Sequence, residues 1–328
     1  MSEDPLYIRI LEKLGVNTTR LRWKLYQKEQ QIKDIQRTGI KPKGLQWLSY
    51  PHKICAHCHA INDRESKICS SCNRRLPNML LYKITRFLTT AGPTNAPITI
   101  QSFLGLMFLF FAVQVSLGGF QLSNIMSPNF TATTIMGAFT PDIFTSPFHA
   151  FRWLAFGLLH GGLIHIAFNS YALYNIGPLI ESQITRARML TLITLSQLGA
   201  AFACYLWYYK IQQVGTPVVG ASGWLFGLIG FGIVTFHRMG IPSIRDQLIK
   251  WTVIVLVFGL LMPGISNSGH IGGLVAGAAT ALLPQGDNLR QPWVNKAWTI
   301  AAIVSLLLWA ATIVAMFISM AVLAPRYL

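Results

Sequence analysis

Acidic residues are scarce in this chain. Of 328 residues only 11 are Asp or Glu, and just four of these, Asp142, Glu181, Asp246 and Asp287, fall after residue 97. Charged residues of both signs make up 12%, about half of the ~25% usual in a soluble domain. That excludes an ordinary soluble globular protein and makes membrane embedding the first expectation. No His-Glu-x-x-His occurs, which removes the zinc-protease helix. No pair of aspartates lies inside an apolar run, which removes an aspartic protease mechanism. No N-terminal signal peptide is expected, because the first long apolar run begins near Pro97, after a charged stretch.

What is present is apolar and unevenly charged. Apolar residues make up 52%, and the mean hydropathy is +0.44. Residues 1–97 hold 17 Lys/Arg and 7 Asp/Glu; the remaining 231 residues hold 10 and 4. The chain therefore divides into a basic, water-facing N-terminal part and an apolar part. In the latter, stretches of about 17–25 residues are candidate spans, and seven are read at 98–118, 162–180, 189–209, 219–237, 248–264, 268–284 and 297–323. A long loop, 119–161, separates the first two and ends in the aromatic run "FHAFRWLAF". Loops of this length usually carry a function or lie in the interface. With the N-terminus in the cytoplasm, 24 basic residues fall inside, and only Arg152, Lys210 and Arg326 fall outside, as the positive-inside rule requires.

That orientation brings polar residues to one depth. Spans two, four and six run from outside to inside, so their N-terminal ends meet at the outer face. Near those ends lie His165 and Asn169 in "HGGLIHIAFNS", Ser222 in "GASGWLFGLIG", and His270 in "SNSGHIGGLVAG". At about 1.5 Å per residue all four fall within roughly 10 Å of one depth. Singly, each has a bland reading: a serine bonds back to its own helix, and a histidine links two helices. Together they favour function, because polar groups in lipid are costly and usually functional. Gly223 and Gly227, and Gly269, Gly273 and Gly277, recur at four-residue spacing, which lets helix backbones approach closely. If these faces meet, Ser222 and His270 come within hydrogen-bond reach, the geometry of an activated nucleophile. None of the four carboxylates is placed to orient His270, so a dyad is expected and not a triad.

The segments "HGGLIHIAFNSYAL", "GASGWLFGLIG" and "GHIGGLVAG", in that order on spans two, four and six, resemble the rhomboid intramembrane serine proteases. The resemblance covers roughly residues 98–284 and implies an all-α polytopic membrane protein with a six-helix core and one added C-terminal helix. It implies Ser222 as nucleophile and His270 as general base. It also implies His165 and Asn169 as oxyanion donors beside the Ser222 backbone N–H, with His160 and Gly220 in support. Glu181 resembles a structural carboxylate, and loop 119–161 a membrane-dipping first loop. Phe151, Phe226 and Gly269 stand where the family often has Trp, Tyr and Ala. The implied activity is endoproteolysis of transmembrane proteins near the outer membrane face, without a catalytic cofactor, in a bacterial inner (plasma) membrane. The rival is an inactive relative that binds transmembrane helices without cutting them.

Residues 55–72, "CAHCHAINDRESKICSSC", pair two Cys-x2-Cys knuckles ten residues apart. Cys55, Cys58, Cys69 and Cys72 read as the four thiolates of a structural zinc site in a small ribbon, with His57 and His59 as substitutes. Disulfides are disfavoured on a reducing inner side. Cys204 reads as inert packing. Residues 6–37 carry a partial apolar stripe (Leu6, Ile10, Leu14, Leu21, Leu25) and a basic face. It suits packing on the ribbon, anionic lipid or a cytosolic partner, with nucleic acid third. The expected organisation is a basic segment 1–50, a ribbon 51–80, a linker 81–97, the core 98–284, and a last helix and tail 285–328.

Overall fold

A computed structural model describes residues 52–89, 97–140, 147–262, 264–284 and 292–327. The basic stretch 6–37, Asp142 and Asp287 lie outside the described residues. The chain forms two units, Met1–Lys83 and Ile84–Leu328. In the first, strands His52–Ile54 and Ile61–Asp63 pair antiparallel, with Lys53 opposite Asn62. The helix Met79–Thr89 follows.

The second unit is helical. Its seven long helices among the described residues are Ile98–Gly118, Leu163–Glu181, Arg186–Cys204, Ser222–Arg238, Pro242–Leu261, Asn267–Leu282 and Pro292–Tyr327. One helix therefore stands at each expected apolar stretch. Among the described residues, only Ile98–Gly118, Arg186–Ile211 and Trp293–Tyr327 are both long and apolar enough to cross a membrane. The pair Phe148–Leu158 and Leu163–Glu181 does so only across a 76° bend. The fourth and sixth helices, with 17 and 16 residues, are short. At about 1.5 Å per residue they reach roughly 25 Å, less than the ~30 Å of a hydrocarbon core. The fifth carries Arg245, Asp246 and Lys250. Loop 119–161 is largely helical where described, with turns at Leu122–Met126, Phe130–Met136 and Pro147–Leu158.

Close backbone approach sets the frame of this unit. A Cβ on Gly273 would collide with the Gly223 carbonyl oxygen, and one on Gly277 with that of Gly227. The fourth and sixth helices thus touch backbone to backbone along the glycine faces, which residues with side chains would forbid. Trp224 and Met107 are fully buried in the same helical unit. Phe103 packs between Trp224 and Trp309 at 5.5 and 5.1 Å. Both Glu181 oxygens accept backbone N–H groups at the start of the first long helix, Thr99 at 3.0 Å and Ile100 at 3.1 Å. A carboxylate there satisfies orphan donors and complements the helix dipole. The seventh helix joins through Trp309, whose Nε1 donates to Thr194 Oγ1 at 3.0 Å, and Ser319, whose Oγ donates to the Ile135 carbonyl at 2.6 Å.

Candidate active site

Ser222 is the first residue of the fourth long helix and is half-buried. Two residues earlier Gly220 takes φ 132°, a conformation that glycine adopts without steric cost. Its N–H donates to the Phe156 carbonyl at 2.9 Å. A Cβ there would lie 2.7 and 2.8 Å from Cε1 and Nε2 of His165, and 3.6 Å from the Ser222 hydroxyl oxygen. Glycine therefore leaves a gap between the His165 ring and the Ser222 hydroxyl, and any side chain would fill it.

His270 stands in the first turn of the sixth long helix, which Ser266 caps by accepting from the Gly269 N–H at 3.2 Å. Its imidazole lies flat on Phe226, with ring centroids 4.3 Å apart and planes 3° from parallel. Phe226 is four residues after Ser222 on one helix, so the two share a face. The imidazole is thereby held beside the face that carries the hydroxyl. His270 is buried, and its Nδ1 has no hydrogen-bond partner among the described residues. Glu181 is occupied as a helix cap, and Asp246 pairs with Arg245 at the surface, at 2.7 Å.

His165 and Asn169 stand one turn apart on the second long helix. The Gly161 N–H donates to His165 Nδ1 at 3.3 Å. That makes Nδ1 the acceptor and leaves the ring proton on Nε2, the atom facing Gly220. Asn169 is buried, and its Nδ2 makes no hydrogen bond among the described residues, so it is a free donor in the same layer. His160 is fully buried, edge-on to His165 at 5.2 Å. Its backbone is fixed by Gln114, which accepts from the His160 N–H at 3.0 Å and donates to its carbonyl at 3.2 Å. Sequence reading assigned Gln114 no role, although a lone amide inside the run "FLFFAVQVSL" was the available signal.

The loop before Ser222 also carries bonds that no motif announces. Phe139 and Val218 exchange both backbone hydrogen bonds at 2.9 Å, tying loop 119–161 to the segment before the serine. Trp224 Nε1 donates to the Gly157 carbonyl at 3.1 Å. Arg152, buried, donates from Nη1 to the carbonyls of Thr134 at 2.9 Å and Ala138 at 2.7 Å.

In the first unit the sulfur atoms of Cys55, Cys58, Cys69 and Cys72 all lie within 4.8 Å of one another. Cys55 and Cys72 stand 3.7 Å apart, and Cys58 and Cys69 3.5 Å. Four sulfurs about 2.3 Å from one zinc ion would stand about 3.8 Å apart, so the cluster fits a tetrahedral site. The two knuckles repeat one backbone pattern. Cys55 N–H donates to Ala60 and His59 N–H to Cys55, as Cys69 N–H does to Arg74 and Asn73 N–H to Cys69. His59 and Asn73 occupy equivalent left-handed positions, φ 59° and 55°. Asn62 joins the knuckles by accepting from the Ser70 N–H at 2.8 Å while its Nδ2 reaches Cys69 Sγ at 3.6 Å. Backbone N–H groups of Cys72 and Ser71 aimed at Cys69 hold its thiol down to about 6. Cys55 is also lowered, chiefly by the Cys58 N–H. At Cys58 the Ala60 N–H acts downward, but burial and the neighbouring thiols outweigh it and push the group up to about 12. Such a set shares protons, and a cation would replace them.

Residues 147–285 match the Rhomboid domain. The chain is 33% identical over 130 residues to the "Rhomboid protease GluP" of Bacillus subtilis (strain 168), covering 38% of this chain and 24% of that protein. It is 30% identical over 148 residues to the "Rhomboid protease AarA" of Providencia stuartii, covering 38% and 52%. It is 29% identical over 153 residues to "Rhomboid-like protein 15" of Arabidopsis thaliana, covering 42% and 38%. The chain thus spans between a quarter and a half of the length of these curated relatives.

Proposed function

We propose that the chain, whose residues 147–285 match the Rhomboid domain and which has helices long and apolar enough to cross a membrane, is an integral membrane protein and an intramembrane serine endopeptidase with a Ser222–His270 dyad. The observation that carries this reading is the flat stack of His270 on Phe226, one turn from Ser222. Ser222 Oγ attacks the carbonyl carbon of a peptide bond as its proton passes to His270. The oxyanion of the tetrahedral intermediate accepts from the Ser222 N–H at the helix start, from His165 Nε2–H and from Asn169 Nδ2–H. His270 then gives its proton to the leaving amine and the C–N bond breaks. Water, deprotonated by the same imidazole, hydrolyses the acyl-serine. The partnerless Nδ1 of His270 supports a dyad without an acid.

The substrate in this reading is a transmembrane helix unwound near the outer membrane face, because a helical carbonyl is hydrogen-bonded and shielded. In this reading the chain crosses seven times with the N-terminus inside, which the concentration of basic residues on the inner loops supports. Cys55, Cys58, Cys69 and Cys72 hold one zinc ion that organises the ribbon and takes no part in hydrolysis. The deciding experiment is incubation of the reconstituted chain with a panel of single-span substrates, beside Ser222→Ala. Cleavage by the first and none by the second is the expected result. Equal cleavage by both would reduce the polar layer to helix packing.

A further inference from the structure

The residues from 212 to 221 that lead to Ser222 form no helix, so this segment takes its position from bonds to other parts of the chain. One is the Phe139–Val218 pair; another is the Gly220 N–H on the Phe156 carbonyl. A third comes from a side chain outside every motif. The Tyr209 hydroxyl lies 2.8 Å from the Phe139 carbonyl oxygen and 3.2 Å from that of Thr216. Its ring stacks on Phe139 at 5.9 Å, 24° from parallel. One phenol thus sits between the two strands of the bridge that ends four residues before Ser222, its single proton going chiefly to the nearer carbonyl, Phe139.

An ordinary α-helix would not put Tyr209 there. The third long helix closes as a π-helix over Tyr205–Ile211, and Gln212 N–H donates to Trp207 at 2.9 Å. In α-winding, Tyr209 would sit about 140° around the axis from Cys204. The wider i→i+5 turn narrows that offset. Tyr209 then joins the cluster of Cys204, Phe139, Phe156 and Val218. Such π turns recur at functional sites, and here the turn delivers one hydroxyl.

We propose that Tyr209 is a positioning residue for Ser222: it fixes the Phe139–Val218 bridge and so sets where Gly220 and the serine hydroxyl stand. The inference rests on the protease reading, and the test separates the two. The full-length reconstituted chain and its Tyr209→Phe variant, which keeps the stacking ring, are reacted with a fluorophosphonate probe of serine nucleophiles. Rates are normalised to the fraction finally labelled, which counts only folded protein. Tyr209→Phe is expected to lower the limiting labelling rate about fivefold, the rate equivalent of one neutral hydrogen bond. Half-saturating probe concentration and melting temperature should stay unchanged. Hydrogen exchange should rise in the 214–221 peptide alone. Placing p-aminophenylalanine at 209, which restores a donor, should recover most of the rate. A neighbouring Tyr208→Phe should match wild type.

An unchanged labelling rate in Tyr209→Phe would overturn the proposal. So would failure of that variant to fold, which makes the phenol a stability element, or a p-aminophenylalanine variant no faster than Phe. A wild-type chain that neither labels nor cleaves would instead remove the protease reading itself.

Discussion

At the residue scale, the proposed dyad makes Ser222, Phe226 and His270 one unit. The ring of Phe226 fixes the imidazole in a plane, so no carboxylate is required to orient it. A serine hydroxyl is a poor nucleophile until a base removes its proton. Ser222→Ala and His270→Ala are therefore each expected to reduce cleavage of a transmembrane substrate to background, and the double variant to be scarcely worse than either. Initial rates on equal amounts of folded enzyme measure this, and additive losses would show two independent roles. Asn169 acts differently. Its amide donor meets no ground-state partner among the described residues, so in the proposed mechanism its bond forms in the transition state. Asn169→Ala should lower kcat by about 10²–10³ and leave KM nearly unchanged. A shift confined to KM would place Asn169 in substrate binding.

Among the elements, the decisive contact is between the fourth and sixth long helices. Gly273 and Gly277 face the carbonyls of Gly223 and Gly227 so closely that even a methyl group has no room. Backbone cannot yield as a flexible side chain can, so Gly273→Ala must push the helices apart or twist them. The stack of His270 on Phe226 spans this same seam. Gly273→Ala is expected to cut hydrolysis at least tenfold and to lower thermal stability, overpacking typically costing about 1–3 kcal/mol. Gly105→Ala is the control: a Cβ there meets nothing within 4 Å, and both measurements should match wild type. Equal losses in the two variants would mean that helix composition matters and the seam does not.

For the whole molecule, the two units call for separate readings. The four-thiol cluster lies within the first unit, and the proposed catalytic layer within the second. The full chain, prepared under reducing conditions, should contain one zinc per polypeptide by elemental analysis. Cys58→Ser with Cys69→Ser should abolish it. Removing the metal should unfold residues 52–76, read as lost hydrogen-exchange protection, while substrate hydrolysis continues. Loss of hydrolysis on metal removal would make the ribbon part of the machinery.

Much of this was legible in the residues themselves, for physical reasons that are local. Long apolar runs declare helices because lipid tolerates no unpaired backbone, and a helix stands at each of the seven expected stretches. Two Cys-x2-Cys knuckles declare a four-thiol cluster because the spacing closes one turn around a shared centre. Recurrent glycines declared that two helix faces could meet, and they do. Only the tertiary structure decided the rest. Gln114 on the His160 backbone and the Phe139–Val218 pair join residues far apart in the chain. So does the reach of Tyr209 from a π turn to Phe139, 70 residues earlier. Hydropathy and periodicity report which face of an element is apolar. They carry no information about which distant carbonyl a buried hydroxyl or amide will meet, because packing of the whole helical unit sets that distance.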